Sequence, residues 1–148
     1  MAEKQAFRAP SAGERLFNRA FGLLVGLGVG FPYNYLLQVR GRKSGKIYST
    51  PVNLLVLNGK MFLVAPRGLT QWVRNAEVAG EVTLKKGRRL QRFKLRNLDP
   101  AEKPPVLKAY LDNFRREVQP YFPVPSGSPP EAFENIAADY PAFELLAA

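Results

Sequence analysis

Histidine and cysteine are both absent from this chain of 148 residues. Without them the chain cannot supply a thiolate nucleophile, a disulfide, a Cys/His zinc site or a His-centred catalytic triad. Any catalysis must come from a bound cofactor, from carboxylates, or from Tyr, Ser, Lys and Arg side chains. The carboxylates show no pairing suited to acid–base catalysis, and Glu77 and Glu81 are expected to form surface ion pairs. No metal site is expected.

Acidic residues are scarce in the middle of the chain. The whole chain has 22 Lys+Arg against 12 Asp+Glu, a formal net charge of +10. Residues 40–96 hold 14 basic and 2 acidic residues, whereas the remainder holds 8 basic and 10 acidic. The excess positive charge therefore belongs to one central block. It indicates an anionic partner: a nucleic acid, an anionic membrane surface or a phosphorylated ligand.

The apolar run of residues 20–31 is too short to cross a bilayer, since it has 12 residues where about 20 are needed. It follows Arg15 and Arg19, and no small-residue cleavage site comes after it, so no signal peptide is expected. A helix is predicted over residues 12–27. Its apolar surface either packs against its own domain or contacts a membrane, and both interpretations stay open. We expect a cytoplasmic protein, peripheral on the inner face of the cell membrane under the second interpretation.

Strand-like runs alternate with turn signals through the middle of the chain. Runs rich in β-branched, aromatic and aliphatic residues predict strands over residues 35–40, 47–57, 60–65, 82–86 and 88–98. Asn58-Gly59 is a strong hairpin signal. Helices are predicted over residues 71–79, 106–118 and 131–139. The pattern predicts one α+β domain, a small barrel or curled antiparallel sheet with helices around it. We expect an N-terminal apolar helix in residues 1–31, a barrel core in 35–98 and C-terminal helices in 99–148.

Residues 41–46 form a glycine-flanked basic loop between two predicted strands, with Arg42, Lys43, Ser44 and Lys46. Glycines permit a tight turn that directs backbone N–H groups toward one point, and the cations add charge, so the loop suits a phosphate. From the spacing alone, a solvated hairpin turn explains the segment equally well. It is not a Walker loop, because the required Gly-Lys-Ser/Thr ending before a helix is absent.

A second group of candidates follows the strand that ends near residue 65. Arg67-Gly68 opens a loop, and Trp72 and Asn75 then lie on the first turn of a predicted helix. A single Trp in a small domain is usually part of the core. Beside Arg67 and Asn75, it could instead form the wall of a site for a flat ring system.

These segments together resemble the deazaflavin-dependent nitroreductase family, split β-barrel proteins that bind coenzyme F420. The resemblance covers roughly residues 35–98. It rests on the glycine-flanked Arg-Lys-Ser, on Thr50-Pro51, on Arg67-Gly68 and on Trp72-x-x-Asn75. It implies an FMN-binding-like split barrel of mostly antiparallel strands, with an N-terminal helix and C-terminal helices packed around it.

The resemblance also implies a set of cofactor-binding residues. Those expected to hold the phosphate and oligoglutamate tail are Arg42, Lys43 and Ser44, with Lys46 and Tyr48 beside them. Those expected to line the ring and linker are Val52, Asn53, Ala65, Pro66, Arg67, Gly68, Trp72 and Asn75. F420 is expected rather than FMN. Since the cofactor would supply the hydride and the protein would orient it, the missing His and Cys no longer argue against an enzyme. The basic central block suits such a polyanion.

Three positions depart from the family pattern. Tyr48 stands where the family commonly has Arg, Pro66 where a Ser is often seen, and Asn53 where known nitroreductases have an aromatic residue. These changes preserve the anion-binding loop better than the substrate pocket. They resemble a divergent branch whose members are associated with membranes and suspected of binding fatty acids.

Two functions follow from the resemblance. The first is an F420-dependent oxidoreductase that reduces a quinone, enone or nitro compound, with Tyr33, Tyr35, Tyr48 or solvent as proton donor. The second is a non-enzymatic, membrane-associated protein that binds fatty acids or other lipids. Nucleic-acid binding rests on charge alone, because no exposed aromatic residues alternate with the basic stripe of Arg88, Arg92, Lys94 and Arg96. The partners expected are therefore a polyanionic cofactor, a small apolar substrate or fatty acid and, in a homodimer, a second copy of the chain.

Overall fold

A computed structural model describes residues 32–148 of the chain. The elements in chain order are β1 (Asn34–Arg40), β2 (Ile47–Asn53), β3 (Leu55–Leu57), β4 (Lys60–Val64), α1 (Gln71–Ala79), β5 (Glu81–Lys86), β6 (Arg89–Asn97), α2 (Lys103–Val118), 3₁₀ helices at Gln119–Tyr121 and Pro130–Asp139, and β7 (Ala142–Ala147). The helix predicted over residues 12–27 lies outside the described residues. Within residues 32–148, no helix has the length and apolar character needed to cross a membrane.

The seven strands form one sheet in the order β2-β1-β5-β6-β7-β4-β3, and every neighbouring pair is antiparallel. Strands β2 and β3 occupy its two edges, although only Leu54 separates them along the chain. The sheet must therefore curl until its edges meet at Leu54. There, the Leu54 N–H donates to the carbonyl of Tyr33, 2.9 Å away at the start of β1. This curled sheet confirms the α+β prediction from the sequence pattern and the split barrel that the family resemblance implies.

The β3–β4 hairpin turns at the predicted Asn58-Gly59 pair. Both residues have positive φ, 52° and 77°, as a two-residue type I′ turn requires. The single strand predicted over residues 47–57 is wrong in one respect. At Leu54 the chain passes from one edge of the sheet to the other, so the run is two strands with different partners.

The prediction of C-terminal helices alone for residues 99–148 is also wrong, because β7 inserts between β6 and β4. Phe143 and Leu145 of this strand are buried in the core. Helix α2 begins at Lys103, three residues before the predicted start at residue 106. Pro104 and Pro105 fit its first turn, where backbone N–H groups have no intrahelical acceptor.

Arg96 ties the start of α2 to the sheet. Its guanidinium donates to Glu102 at 2.9–3.0 Å and to the buried carboxylate of Glu144 at 2.8–3.0 Å. These hydrogen bonds, with the bond from the Asp99 N–H, lower the pKa of Glu102 to about 2. Arg96 therefore belongs to the framework and is not part of an exposed basic stripe. The pairing fixes α2 beside the barrel, where one face of the helix borders the site described next.

Candidate functional site

A cavity of about 860 Å³ opens between the β1–β2 hairpin, the loop from β4 to α1, and α2. Strand β2 lines it from Tyr48 to Asn53, and α2 contributes Tyr110, Glu117 and Val118. Its volume lies in the range of about 300–1,000 Å³ typical of small-molecule sites. The barrel thus provides a groove along one strand that the helix covers from the side.

At one end of the cavity, residues 41–46 form a closed turn. The Gly41 N–H donates to the Lys46 carbonyl at 2.6 Å, the Gly45 N–H donates to the Gly41 carbonyl at 3.0 Å, and the Lys46 N–H donates to Ser44 Oγ at 3.2 Å. Gly45 has φ 75°, which favours glycine. Because these amides bond within the turn, the expectation that the loop directs its N–H groups toward an anion is wrong for them. The capacity to bind an anion lies in the Arg42 and Lys43 side chains.

Asn75 holds this loop against helix α1. Its Oδ1 accepts from the Arg42 N–H at 3.1 Å and from Arg42 Nη1 at 2.8 Å. Asn75 is 5% exposed, whereas Arg42 is only partly buried. The family resemblance assigned Asn75 to the cofactor ring and linker. The geometry makes it the residue that orients the Arg42 guanidinium at the cavity edge.

The middle of the cavity is formed by the loop after β4 and the start of α1. Gly68, with φ 84°, turns this loop, and its N–H donates to the Ala65 carbonyl. The Arg67 guanidinium donates to Tyr121 Oη from Nε at 3.3 Å and from Nη2 at 2.9 Å, and lies 5.2 Å from the centre of the Tyr121 ring. Trp72 lines the cavity and packs against Phe143, with ring centres 6.0 Å apart.

The opposite end of the cavity is a polar network centred on Glu117. Tyr33 Oη donates to Glu117 Oε1 at 2.6 Å, and Asn53 Nδ2 donates to Glu117 Oε2 at 2.7 Å. Asn34 Nδ2 in turn donates to Asn53 Oδ1 at 2.8 Å. Burial and the bond to Glu117 raise the pKa of Tyr33 to about 12. Burial also raises the pKa of Tyr110, which lines the cavity nearby.

The β1–β2 ladder gives the distance between the two ends. Arg40 pairs with Ile47 beside the basic turn, and Asn34 pairs with Asn53 beside Glu117. The six residue steps between these pairs correspond to about 20 Å of strand. The cavity therefore has a cationic end, defined by Arg42 and Lys43, and a carboxylate end about one strand length away, defined by Glu117.

Most of the predicted cofactor-binding residues border this one cavity. Those that line it are Arg42, Lys43, Ser44, Tyr48, Val52, Asn53, Ala65, Pro66, Arg67, Trp72 and Asn75. Lys46 and Gly68 shape the adjoining loops and are not among the lining residues. Of the three tyrosines predicted as proton donors, Tyr48 lines this cavity, whereas Tyr33 and Tyr35 line a smaller one of about 450 Å³ beside Leu54 and Phe114.

The sequence predictions missed part of the lining. The missed residues include Ser49, Thr50, Pro51, Thr70, Gln71, Tyr110, Glu117, Val118 and Tyr121. Those of β2 could have been found, because they lie between predicted site residues on one strand. The lining residues of α2 could not be recognised from the sequence. They are far from β1 and β2 along the chain and come near these strands only when the chain folds.

The basic block of residues 40–96 is divided among several tasks. Of its 14 cationic residues, Arg42, Lys43 and Arg67 line the cavity. Arg96 pairs with acidic residues, and Lys86 Nζ donates to the Pro32 carbonyl at 2.6 Å and lies over the Tyr35 ring. The interpretation of the whole block as suited to one polyanion is therefore wrong. A small part of it faces the cavity.

Comparison with known proteins gives a family and several structural relatives. The model of the F420H(2)-dependent quinone reductase family matches residues 15–119. No curated protein gives a significant match. A structure of an F420-H2 dependent reductase, FDR-A, is similar with a TM-score of 0.53 and 20% identity over 80% of this chain and 99% of that one. A protein solved as a domain-swapped dimer has a TM-score of 0.53 and 23% identity, over 90% and 92% of the two chains.

A heme binding protein from Mycobacterium smegmatis shares the fold at a TM-score of 0.53, with 12% identity over 93% of this chain and 52% of that one. Because these identities are low, the structural matches show the split-barrel fold and nothing finer. The family match covers residues 15–119, which is most of the chain, and it therefore shows the family and its cofactor.

The cavity has features that fit the long, anionic cofactor of this family. Two cations stand at one end, and about 20 Å of strand leads away from them. On the wall between the ends, Thr70 Oγ1 is the one buried side-chain polar atom within residues 32–148 that lacks a hydrogen-bond partner. Buried hydroxyls normally have partners, so an unpaired one suits a site that accepts a polar ligand. The chain belongs to the F420H(2)-dependent quinone reductase family of F420-dependent oxidoreductases, and its cofactor is F420.

Proposed function

We propose that this protein reduces a small apolar acceptor of the quinone, enone or nitro class with reduced F420. The observation that supports this proposal most strongly is the uneven distribution of charge along the cavity. Cations stand at one end, where a polyanionic tail can bind, and the far end has a hydrogen-bonding wall without a cluster of cations. A cavity of this form can hold a long cofactor and leave room for an acceptor beside its ring.

Arg42 and Lys43 would bind the phosphate and glutamate tail of the cofactor, since charge-assisted hydrogen bonds to such groups are the strong ones. Asn75 would keep the Arg42 guanidinium in place for this contact. Ala65, Pro66 and Trp72 would flank the deazaflavin ring. When bound, reduced F420 supplies the hydride.

The remaining work of the protein is to exclude water and to control protons. Apolar side chains of Val39, Pro51, Val52 and Val118 line the cavity and would keep water from the reacting atoms. Reduction of a quinone by hydride also requires a proton. Tyr33 would not supply it, because its raised pKa of about 12 keeps the proton on its hydroxyl, which is already bonded to Glu117. Tyr48 or solvent stays as the source.

A turnover assay tests the proposal. Purified protein with reduced F420 is mixed separately with menadione, cyclohexenone and a nitroimidazole, and oxidised F420 is followed by its absorbance. We expect protein-dependent oxidation with at least one acceptor and none without acceptor. If F420 binds tightly and none of the three acceptors is reduced, the proposed reaction is wrong and the protein only binds the cofactor.

The second candidate function is lipid binding, and one observation favours it. The smaller cavity beside Tyr33 and Tyr35 is lined mainly by apolar groups, including Leu54, Leu55 and Phe114. An acyl chain would fit such a lining. Native mass spectrometry of the protein as purified should detect a bound lipid if this function applies, and a clean mass together with no sedimentation on anionic liposomes would contradict it.

A homodimer is also proposed, on the exposed start of β6. Strand β7 pairs with residues 93–97 of β6, so residues 89–92 extend past it. Leu90 in this extension is 64% exposed. A relative solved as a domain-swapped dimer agrees with self-association. Light scattering of the purified protein should give twice the 16.6 kDa chain mass, and a monomer mass at assay concentrations would contradict it.

A further inference from the structure

Glu117 is the only acidic residue among those that line the main cavity within the described part of the chain. It lies at the end of β2 opposite the cationic turn. We propose that the negative charge of Glu117 makes the protein select neutral acceptors over anionic ones. This inference rests on the proposed reductase function and specifies its acceptor.

The Glu117 carboxylate is held in a fixed position. One oxygen accepts from Tyr33 Oη at 2.6 Å and the other from Asn53 Nδ2 at 2.7 Å, while Asn53 is itself held by Asn34. A carboxylate can accept about four hydrogen bonds. These two bonds therefore orient the group and leave part of its capacity to accept hydrogen bonds. These bonds favour a position of the negative charge at the exposed rim of the cavity wall.

Two cations have to be weighed against the charge of Glu117. Arg116 precedes Glu117 and its charge acts on Tyr33; both residues are exposed, but only Glu117 is among the residues that line the cavity. Arg67 lines the cavity, and its guanidinium is bound to the Tyr121 hydroxyl and stacked near that ring. Arg67 is thus engaged with Tyr121, and Glu117 supplies the negative charge in the described lining of the cavity. An anionic acceptor placed beside the cofactor ring toward Glu117 would be repelled.

The experiment compares two acceptors of the same ring system, menadione and a sulfonated naphthoquinone. The quantity measured is the ratio of their kcat/KM values with reduced F420, corrected for the rates without protein. We expect the wild-type protein to prefer menadione by more than about fivefold, and Glu117→Gln to reduce that preference by about fivefold, as the removal of one charge about 4 Å away at an exposed, water-screened site predicts. Wild-type preference for the sulfonated quinone would overturn the inference without any variant.

Three variants separate charge from positioning. Tyr33→Phe removes one bond to Glu117 and leaves the carboxylate, so it should preserve the ratio. Glu117→Asp keeps the charge and should preserve most of the preference. Glu134→Gln removes an exposed charge outside the cavity and should have no effect. An unchanged ratio in folded Glu117→Gln, or an equal change in Tyr33→Phe, would overturn the inference.

A fluorescence titration with F420 accompanies every variant, so the two proposals can fail separately. If F420 binds and neither quinone is reduced by any form of the protein, the reductase proposal fails. If menadione is reduced and the wild-type ratio is near one, the reductase proposal stands and the role of Glu117 is wrong. The expected result is unchanged F420 affinity in Glu117→Gln with a changed acceptor ratio.

Discussion

The two ends of the cavity are built in different ways. The cationic end is a short turn whose hydrogen bonds join residues within six positions of one another, with two further bonds from Arg42 to Asn75 on α1. The carboxylate end joins Tyr33 and Asn53 to Glu117 across 84 and 64 positions of the chain. Cations on a surface turn can be removed with little cost to the fold. Substitutions that break the bonds of Glu117 are expected to loosen α2 from the barrel. We therefore expect substitutions at the cationic end to change mainly F420 affinity, and those at the carboxylate end to change the free energy of unfolding as well.

The largest expected effect is at the cationic end. Replacing both Arg42 and Lys43 by Ala should weaken F420 binding by more than about a hundredfold, because each charge-assisted bond to a phosphate or carboxylate contributes about 1.5–3 kcal/mol. Fluorescence titration measures the affinity. The matched control is Arg88→Ala/Arg92→Ala, which removes the same charge from exposed positions outside the cavity. Equal losses in the two double variants would mean that F420 responds to net charge and not to the turn.

A smaller effect is expected where the turn meets the helix. Asn75→Ala removes the acceptor of two bonds from Arg42 and leaves a partly buried N–H without its partner. We expect a loss of about 1–2 kcal/mol in the free energy of unfolding, measured by urea denaturation, together with weaker F420 binding. Arg74→Ala, on the exposed side of the same helix, should change neither quantity. Unchanged F420 affinity in Asn75→Ala would show that Arg42 does not need this anchor.

The cationic end was predictable because its information is local. The spacing of Gly41, Arg42, Lys43 and Gly45 is visible in six residues, and Asn58-Gly59 likewise gave the β3–β4 hairpin. The carboxylate end was not predictable. Glu117 appears in the sequence as an ordinary polar residue of an amphipathic helix, and it acquires neighbours only when α2 packs beside the barrel.

The errors in the predicted fold have the same cause, because the contacts that decide them are between residues far apart in the chain. Residues 47–57 form one uninterrupted strand-like run, and nothing local indicates that Leu54 passes from one sheet edge to the other. Strand β7 was missed because its six residues follow helical segments, and its pairing partners lie far back in the chain. A resemblance limited to residues 35–98 also left this strand outside.

The smallest effect on F420 binding is expected for the Arg96–Glu102 ion pair, which is not among the residues that line the cavity. Hydrogen bonds from Arg96 lower the pKa of Glu102 from 4.5 to about 2. A group whose pKa is lower in the folded state contributes stability above its unfolded pKa and loses it as pH falls through the folded value. The urea midpoint should therefore hold from pH 7 to about 5 and fall between about 4.5 and 2.

Glu102→Gln is the control for that pH dependence. Its urea midpoint should be lower than wild type at pH 7 and should fall less steeply below pH 4.5, because the titrating group is gone. F420 affinity at pH 7 should be the same as in the wild type, since Glu102 is not among the residues that line the cavity. An identical decline in the two proteins would show that other carboxylates govern the acid transition.

The central claim is that Arg42 and Lys43 bind the anionic tail of the cofactor. The most direct test compares the affinity for F420 with that for its deazaflavin–ribityl fragment, which lacks the phosphate and glutamates, in the wild type and in Arg42→Ala/Lys43→Ala. Our account predicts that the wild type binds F420 more than about a hundredfold more tightly than the fragment, and that the double variant binds both with similar affinity. An undiminished preference for F420 in the double variant would contradict it.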